Sequence, residues 1–122
     1  MFDEPGLHTA LLTRLTDNSS FRVALYVDKR SFDEGTARYQ EGRLRSLVAH
    51  GAQVFLCRGR TRSGVWHKKA AIVDRRWDFA GGANLTYSAR QANHERLLFL
   101  TKPGLAEILK NLWLEQSCAV RL

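Results

Sequence analysis

The chain has 122 residues, 44% hydrophobic and 25% charged, a length that predicts one domain, residues 1–122, with a modest core and no room for a multidomain enzyme. Nineteen Lys and Arg against twelve Asp and Glu leave a formal net charge of +7, which favours polyanionic partners such as nucleic acid or an anionic lipid surface. No apolar run approaches the roughly 20 residues that cross a bilayer. The opening Met1-Phe2-Asp3-Glu4-Pro5-Gly6 lacks the basic and apolar regions of a secretory signal, so location stays open, cytoplasmic or organellar. Cys57 and Cys118 stand in no CxxC or Cys/His ligand pattern; two buried thiols are expected, rather than a disulfide or a zinc site.

Leu7, Leu11, Leu12 and Leu15 share one helical face, and Asp17-Asn18-Ser19-Ser20 ends that helix. Phe21 to Val27 alternates, with Ala24 and Tyr26 opposite its apolar face, and predicts an interior strand covered on both sides. Leu44, Leu47 and Val48 give helical spacing within residues 36–50, and Gly51 is placed to end the helix. Gln53 to Cys57 predicts a strand, and Arg58 to Gly64 an exposed loop, the most basic in the chain. Strands are then expected over Val65–Val73, Trp77–Ala80 and Arg96–Leu100, the first two joined by a hairpin turn at Asp74-Arg75-Arg76. Leu105, Ile108, Leu109, Leu112 and Trp113 predict an amphipathic helix starting near Pro103. Strands alternating with helices indicate an α/β fold with a mixed sheet flanked by helices.

The residues with chemical potential follow position 57. His67-x-Lys69 leads to Asp74 in an H-x-K-x-x-x-x-D pattern inside a predicted strand. On a regular strand His67 and Lys69 lie on one face about 7 Å apart, and Ala71 and Val73 continue that face as an apolar floor where a cation interacts strongly with a phosphate oxygen. Lys68 and Asp74 fall on the other face. Downstream stand Gly81-Gly82-Ala83-Asn84 and Asn93-His94-Glu95.

Together these elements resemble the phospholipase D superfamily, whose signature is HxKxxxxD, then G-S/G-x-N, then N-x-E. The similarity is to the single-motif branch of small bacterial endonucleases and the mitochondrial cardiolipin hydrolase type, and it extends over roughly residues 7–113. It implies a phospholipase D-like domain, a phosphodiesterase that works through a phosphohistidine without metal or other cofactor. In that scheme His67 is the nucleophile, and Lys69, Asn84 and backbone N–H groups near Gly82 hold the phosphate oxygens. Glu95 orients the His67 ring, while Asp74 holds the turn. A single motif supplies one histidine where two are needed, so a homodimer sharing one active site is expected. Gly82 stands where single-motif nucleases usually carry serine, Arg75 replaces a usual glycine, and Arg96 an asparagine. No room remains between Met1 and Leu7 for the family's usual first strand.

Plainer roles stand beside these. His67 and Lys69 could be a polar pair on an edge strand, Lys68 a solvated lysine, Glu95 a partner of Arg96 or Arg90, and Trp66 a core residue. Arg58, Arg60 and Arg62 serve equally as a solvated loop or as a collar that steers phosphate. Three functions follow: a nuclease on DNA or RNA, a hydrolase of cardiolipin or another anionic phospholipid, and a catalytically inactive nucleic-acid-binding module, which the glycine at 82 motivates.

Overall fold

The computed structural model describes residues 2, 4–35, 39–67, 70–74, 77–81, 97–100, 104, 107, 108, 111, 118 and 120–122, with 77–81 and 97–100 described by their backbone alone. The architecture is α/β, with a mixed sheet flanked by helices. Helix α1 spans Pro5–Asp17. Proline at the start of a helix gives up an N–H that has no partner there anyway, and the Glu4 carboxylate accepts the Leu7 N–H at 2.7 Å. The expected leucine face packs as Leu7, Leu11, Leu12 and Leu15 against the core.

Strand β1 (Ala24–Asp28) is followed at once by the five-residue helix α2 (Lys29–Asp33), then by α3 (Gln40–Ala49). Residue Gly51 ends α3 in a Schellman motif: at φ 95° it bonds to the Val48 carbonyl at 3.0 Å, and Ala52 N–H reaches the Leu47 carbonyl at 3.0 Å. Strand β2 (Gln53–Cys57) runs parallel to β1, with Val27 opposite Leu56 and Asp28 opposite Cys57. Among the described residues the buried core cluster comprises Phe2, Val27, Leu44, Leu47, Ala52, Val54 and Leu56. On the opposite face Tyr26 and Phe55 stack with ring centroids 5.0 Å apart.

The remaining strands are β3 (Ala70–Val73), β4 (Trp77–Gly81), β5 (Leu97–Leu100) and β6 (Val120–Arg121). Strand β6 pairs antiparallel with β2, completing the order β1-β2-β6, while β3-β4-β5 forms an antiparallel meander. The hairpin expected at Asp74-Arg75-Arg76 joins β3 to β4, with Val73 paired to Trp77.

Several expectations are corrected. Among the described residues β1 pairs only with β2 and lies at a sheet edge, and Ala24 on its second face is exposed. Of the strand expected over Val65–Val73, residues 65–67 are not strand, and β3 is Ala70–Val73. Cys57 and Cys118 are joined in a disulfide. Pairing of β6 with β2 brings the C-terminal segment beside Cys57, a neighbourhood that spacing along the chain does not encode. Within the helix expected from Pro103, Glu107, Ile108 and Asn111 are helical, but Ile108 is exposed rather than buried.

Candidate active site

His67 sits on the segment between loop 58–64 and β3, and its side chain is exposed. Loop 58–64 is folded tightly on itself: a Cβ at Gly59 would fall 2.4 Å from the Gly64 carbonyl carbon, and Gly64 N–H bonds to the Thr61 carbonyl at 3.1 Å. Only glycine fits at 59 without moving backbone. Helix α2 holds this loop from the side, because the Arg30 guanidinium donates to the Ser63 carbonyl while its Nε is 2.7 Å from Glu34 Oε1. Arg30, Glu34, Arg62 and Ser63 line a shallow open groove. Arg58, Arg60 and Arg62 are all exposed on the loop.

Asp28, which the sequence pattern did not single out, connects this region to the sheet. Its carboxylate is buried; Oδ2 accepts the Ser31 N–H and the Ser31 hydroxyl, each at 2.7 Å, and Oδ1 accepts the Trp66 N–H at 2.6 Å. The local half of this arrangement was readable as an Asp-x-x-Ser helix cap. The half that reaches Trp66 carried no signal in the sequence.

Lys69, Gly82, Asn84 and Glu95 lie outside the described residues, as do Lys68, Arg75, Asn93, His94 and Arg96. The shared face expected of His67 and Lys69 does not extend back to His67, because residues 65–67 are not strand. Val73 is 46% exposed, so the expected apolar floor is open to water at that end.

The meander's register organises the motif along the chain. Ala70 pairs with Ala80, Ala80 with Leu98, and Gly81 with Leu97. The start of β3, the end of β4 and the start of β5 therefore share one end of the sheet. Along the chain, positions 67–69 precede β3, positions 82–84 follow β4 and positions 93–96 precede β5. Asp74 lies at the other end of β3, in the hairpin turn, with φ 53°, a left-handed conformation that Asp and Asn tolerate better than most side chains.

Two further histidines lie on other elements. The His50 Nδ1 is 2.8 Å from the Ser46 carbonyl oxygen. His8 on α1 has its pKa lowered from the ordinary 6.5, mainly by burial and further by the positive charge of Arg43.

A family described as "Cardiolipin synthase, PLD-like domain" matches residues 3–115. The chain belongs to the phospholipase D-like family. This phospholipase D-like chain is a phosphodiesterase-type hydrolase by class. Its fold is similar to the crystal structure of a phospholipase D family member, Nuc from Salmonella typhimurium, with TM-score 0.76 and 22% identity, covering 94% of this chain and 71% of that one. NucT from Helicobacter pylori is 18% identical, with 96% of this chain and 94% of that one covered, at TM-score 0.49. No curated protein matches the chain. Among the described residues, no helix is long and apolar enough to cross a membrane.

Proposed function

We infer that residues 1–122 act as a single phospholipase D-like domain that hydrolyses phosphodiesters through a phosphohistidine, with nucleic acid as substrate. Neutral His67 attacks phosphorus, forming a P–N bond as the P–O bond to the leaving alkoxide breaks. The His67 of a second copy donates its proton to that alkoxide, then takes one from the water that cleaves the P–N bond and restores free His67. Lys69, the Asn84 amide and backbone N–H groups near Gly82 stabilise charge on the non-bridging oxygens. Glu95 accepts the other ring N–H of His67 and fixes its tautomer. Asp74, at the far end of β3, has a structural role in the turn.

The observation that supports this assignment is the ladder register, in which the strand ends that flank all three motif segments fall at one end of the β3-β4-β5 sheet. Nucleic acid is favoured by the net charge of +7 and by exposed Arg58, Arg60 and Arg62 on the loop that leads to His67. The matched family's description names a cardiolipin synthase, which keeps an anionic phospholipid as the second substrate class.

Labelled single-stranded DNA, RNA and cardiolipin, incubated in parallel in EDTA, test the assignment, with bis-p-nitrophenyl phosphate as a generic diester. Cleavage of a nucleic acid in EDTA, abolished in His67→Ala, is expected. Cleavage of cardiolipin alone would move the substrate to lipid. Nucleic-acid binding without turnover of any diester would leave a binding module, and activity lost in EDTA but restored by magnesium would overturn the histidine mechanism.

A further inference from the structure

Residues 65–67 belong to neither sheet, since the segment precedes β3 and follows the loop after β2. The Trp66 N–H donates to Asp28 Oδ1 at 2.6 Å and so ties this segment to the end of β1. The acceptor is well placed for such a role. Asp28 is 5% exposed, its second oxygen is occupied by Ser31 N–H and Oγ at 2.7 Å, and its backbone is held in the parallel ladder opposite Cys57. A carboxylate anchored on one oxygen by a helix cap presents the other from a fixed position. Hydrogen bonds to a charged acceptor are also roughly twice as strong as neutral ones. Arg30, two positions beyond Asp28, bonds the carbonyl of Ser63, three residues before Trp66, so the approach to His67 is held twice by the β1–α2 junction.

We propose that Asp28 is a positioning residue of the active site: by holding the Trp66 N–H it fixes the backbone that carries His67, and so sets where the imidazole meets phosphorus. The role rests on His67 being the nucleophile. Attack at phosphorus needs the reacting atoms within about 3–3.5 Å, and a misplacement of about 1 Å costs on the order of a hundredfold in rate. In Asp28→Asn one acceptor oxygen remains. The two Ser31 donors, N–H and hydroxyl, draw it to the cap side, which turns an NH2 donor toward the Trp66 N–H.

With bis-p-nitrophenyl phosphate as substrate, Asp28→Asn is expected to lower kcat about 10- to 100-fold while KM changes less than about threefold, because the phosphate-binding groups are elsewhere. Ser31→Ala removes one donor from the cap side, leaves the Trp66 bond, and should keep kcat within about twofold of wild type. In the wild-type protein the Trp66 amide should exchange hydrogen as slowly as amides of β2. Three results overturn the proposal: a folded Asp28→Asn with wild-type kcat, equal kcat losses in both variants, or a Trp66 amide that exchanges as fast as that of exposed Arg60. The exchange measurement needs no variant to fold. An active His67→Ala would remove the nucleophile assignment itself and the role of Asp28 with it, whereas an inactive His67→Ala beside a fully active Asp28→Asn removes Asp28 alone.

Discussion

Gly81 and Leu97 face one another across the β4–β5 ladder, so the chain that carries the Gly-x-Asn and Asn-x-Glu segments leaves and returns at adjacent points of one sheet end. An antiparallel pair with strands about 4.8 Å apart returns the two flanks of such a connection to the same place. The start of β3, just beyond His67 and Lys69, shares that end through Ala70 and Ala80. The meander thus brings together the strand ends that border these segments along the chain.

A site that needs two copies of His67 makes an inactive subunit dominant. When wild-type chain is mixed and re-equilibrated with an equal amount of His67→Ala, half of the wild-type subunits pair with an inactive partner, and total activity should fall to about half. Light scattering should report about twice the chain mass under the same conditions. Undiminished activity in the mixture would mean that each chain works alone, and His94 would be the first donor to test.

Asp74 stands at φ 53°, where a β-branched side chain is strained and Asn or Gly is not. Asp74→Val should destabilise the fold by about 1–2 kcal/mol, while Asp74→Asn keeps the conformation and isolates any contribution of the charge. Urea midpoints compared with kcat for both variants check this. A kcat loss in Asp74→Asn at unchanged midpoint would give the carboxylate a part in the chemistry.

The Cys57–Cys118 disulfide closes a separation of 61 residues and ties the segment before β6 to the end of β2. Cross-links of this kind stabilise mainly by restricting the unfolded chain, by about 2–4 kcal/mol. Cys118→Ser, or reduction by dithiothreitol, should lower the urea midpoint accordingly. Free-thiol titration of the native and denatured protein checks the pairing directly, because two reactive thiols in the non-reduced, denatured chain would contradict it.

His8 contributes a pH dependence of known sign. Burial, with the charge of Arg43 beside it, lowers its pKa in the folded state below the 6.5 of an unfolded chain. Between those two values the unfolded state binds more protons, so the stability His8 contributes is present above about pH 6.5 and is lost as pH falls toward the folded pKa. Urea midpoints at pH 7.5 and 5.5 should therefore differ more for wild type than for His8→Gln. Equal differences would show that other groups govern the slope.

The sequence by itself determined those features whose causes lie within a few residues. Leu7, Leu11, Leu12 and Leu15 repeat at helical spacing, Pro5 suits a helix start, Gly51 ends α3, and Gln53 to Cys57 is the observed strand to the residue. The H-x-K, Gly-x-Asn and Asn-x-Glu segments were legible for the same reason, because residue types at fixed spacing carry the family signature. Strand β6 was not legible, since two residues hold no periodicity.

Only the tertiary structure decided which distant groups meet. The Val and Ile content from Val65 to Val73 predicts a continuous strand, yet the Trp66 N–H bonds to a carboxylate 38 residues away and residues 65–67 stay outside the ladder. Cys57 likewise finds Cys118 because β6 pairs antiparallel with β2. The physical reason is common to both. A helix or hairpin satisfies its backbone groups from near neighbours, so its cause is local and can be read along the chain. A backbone donor left over outside the sheets takes whatever buried acceptor the packing of remote elements delivers, and that choice exists only once β1, α2 and the segment before β3 have come together.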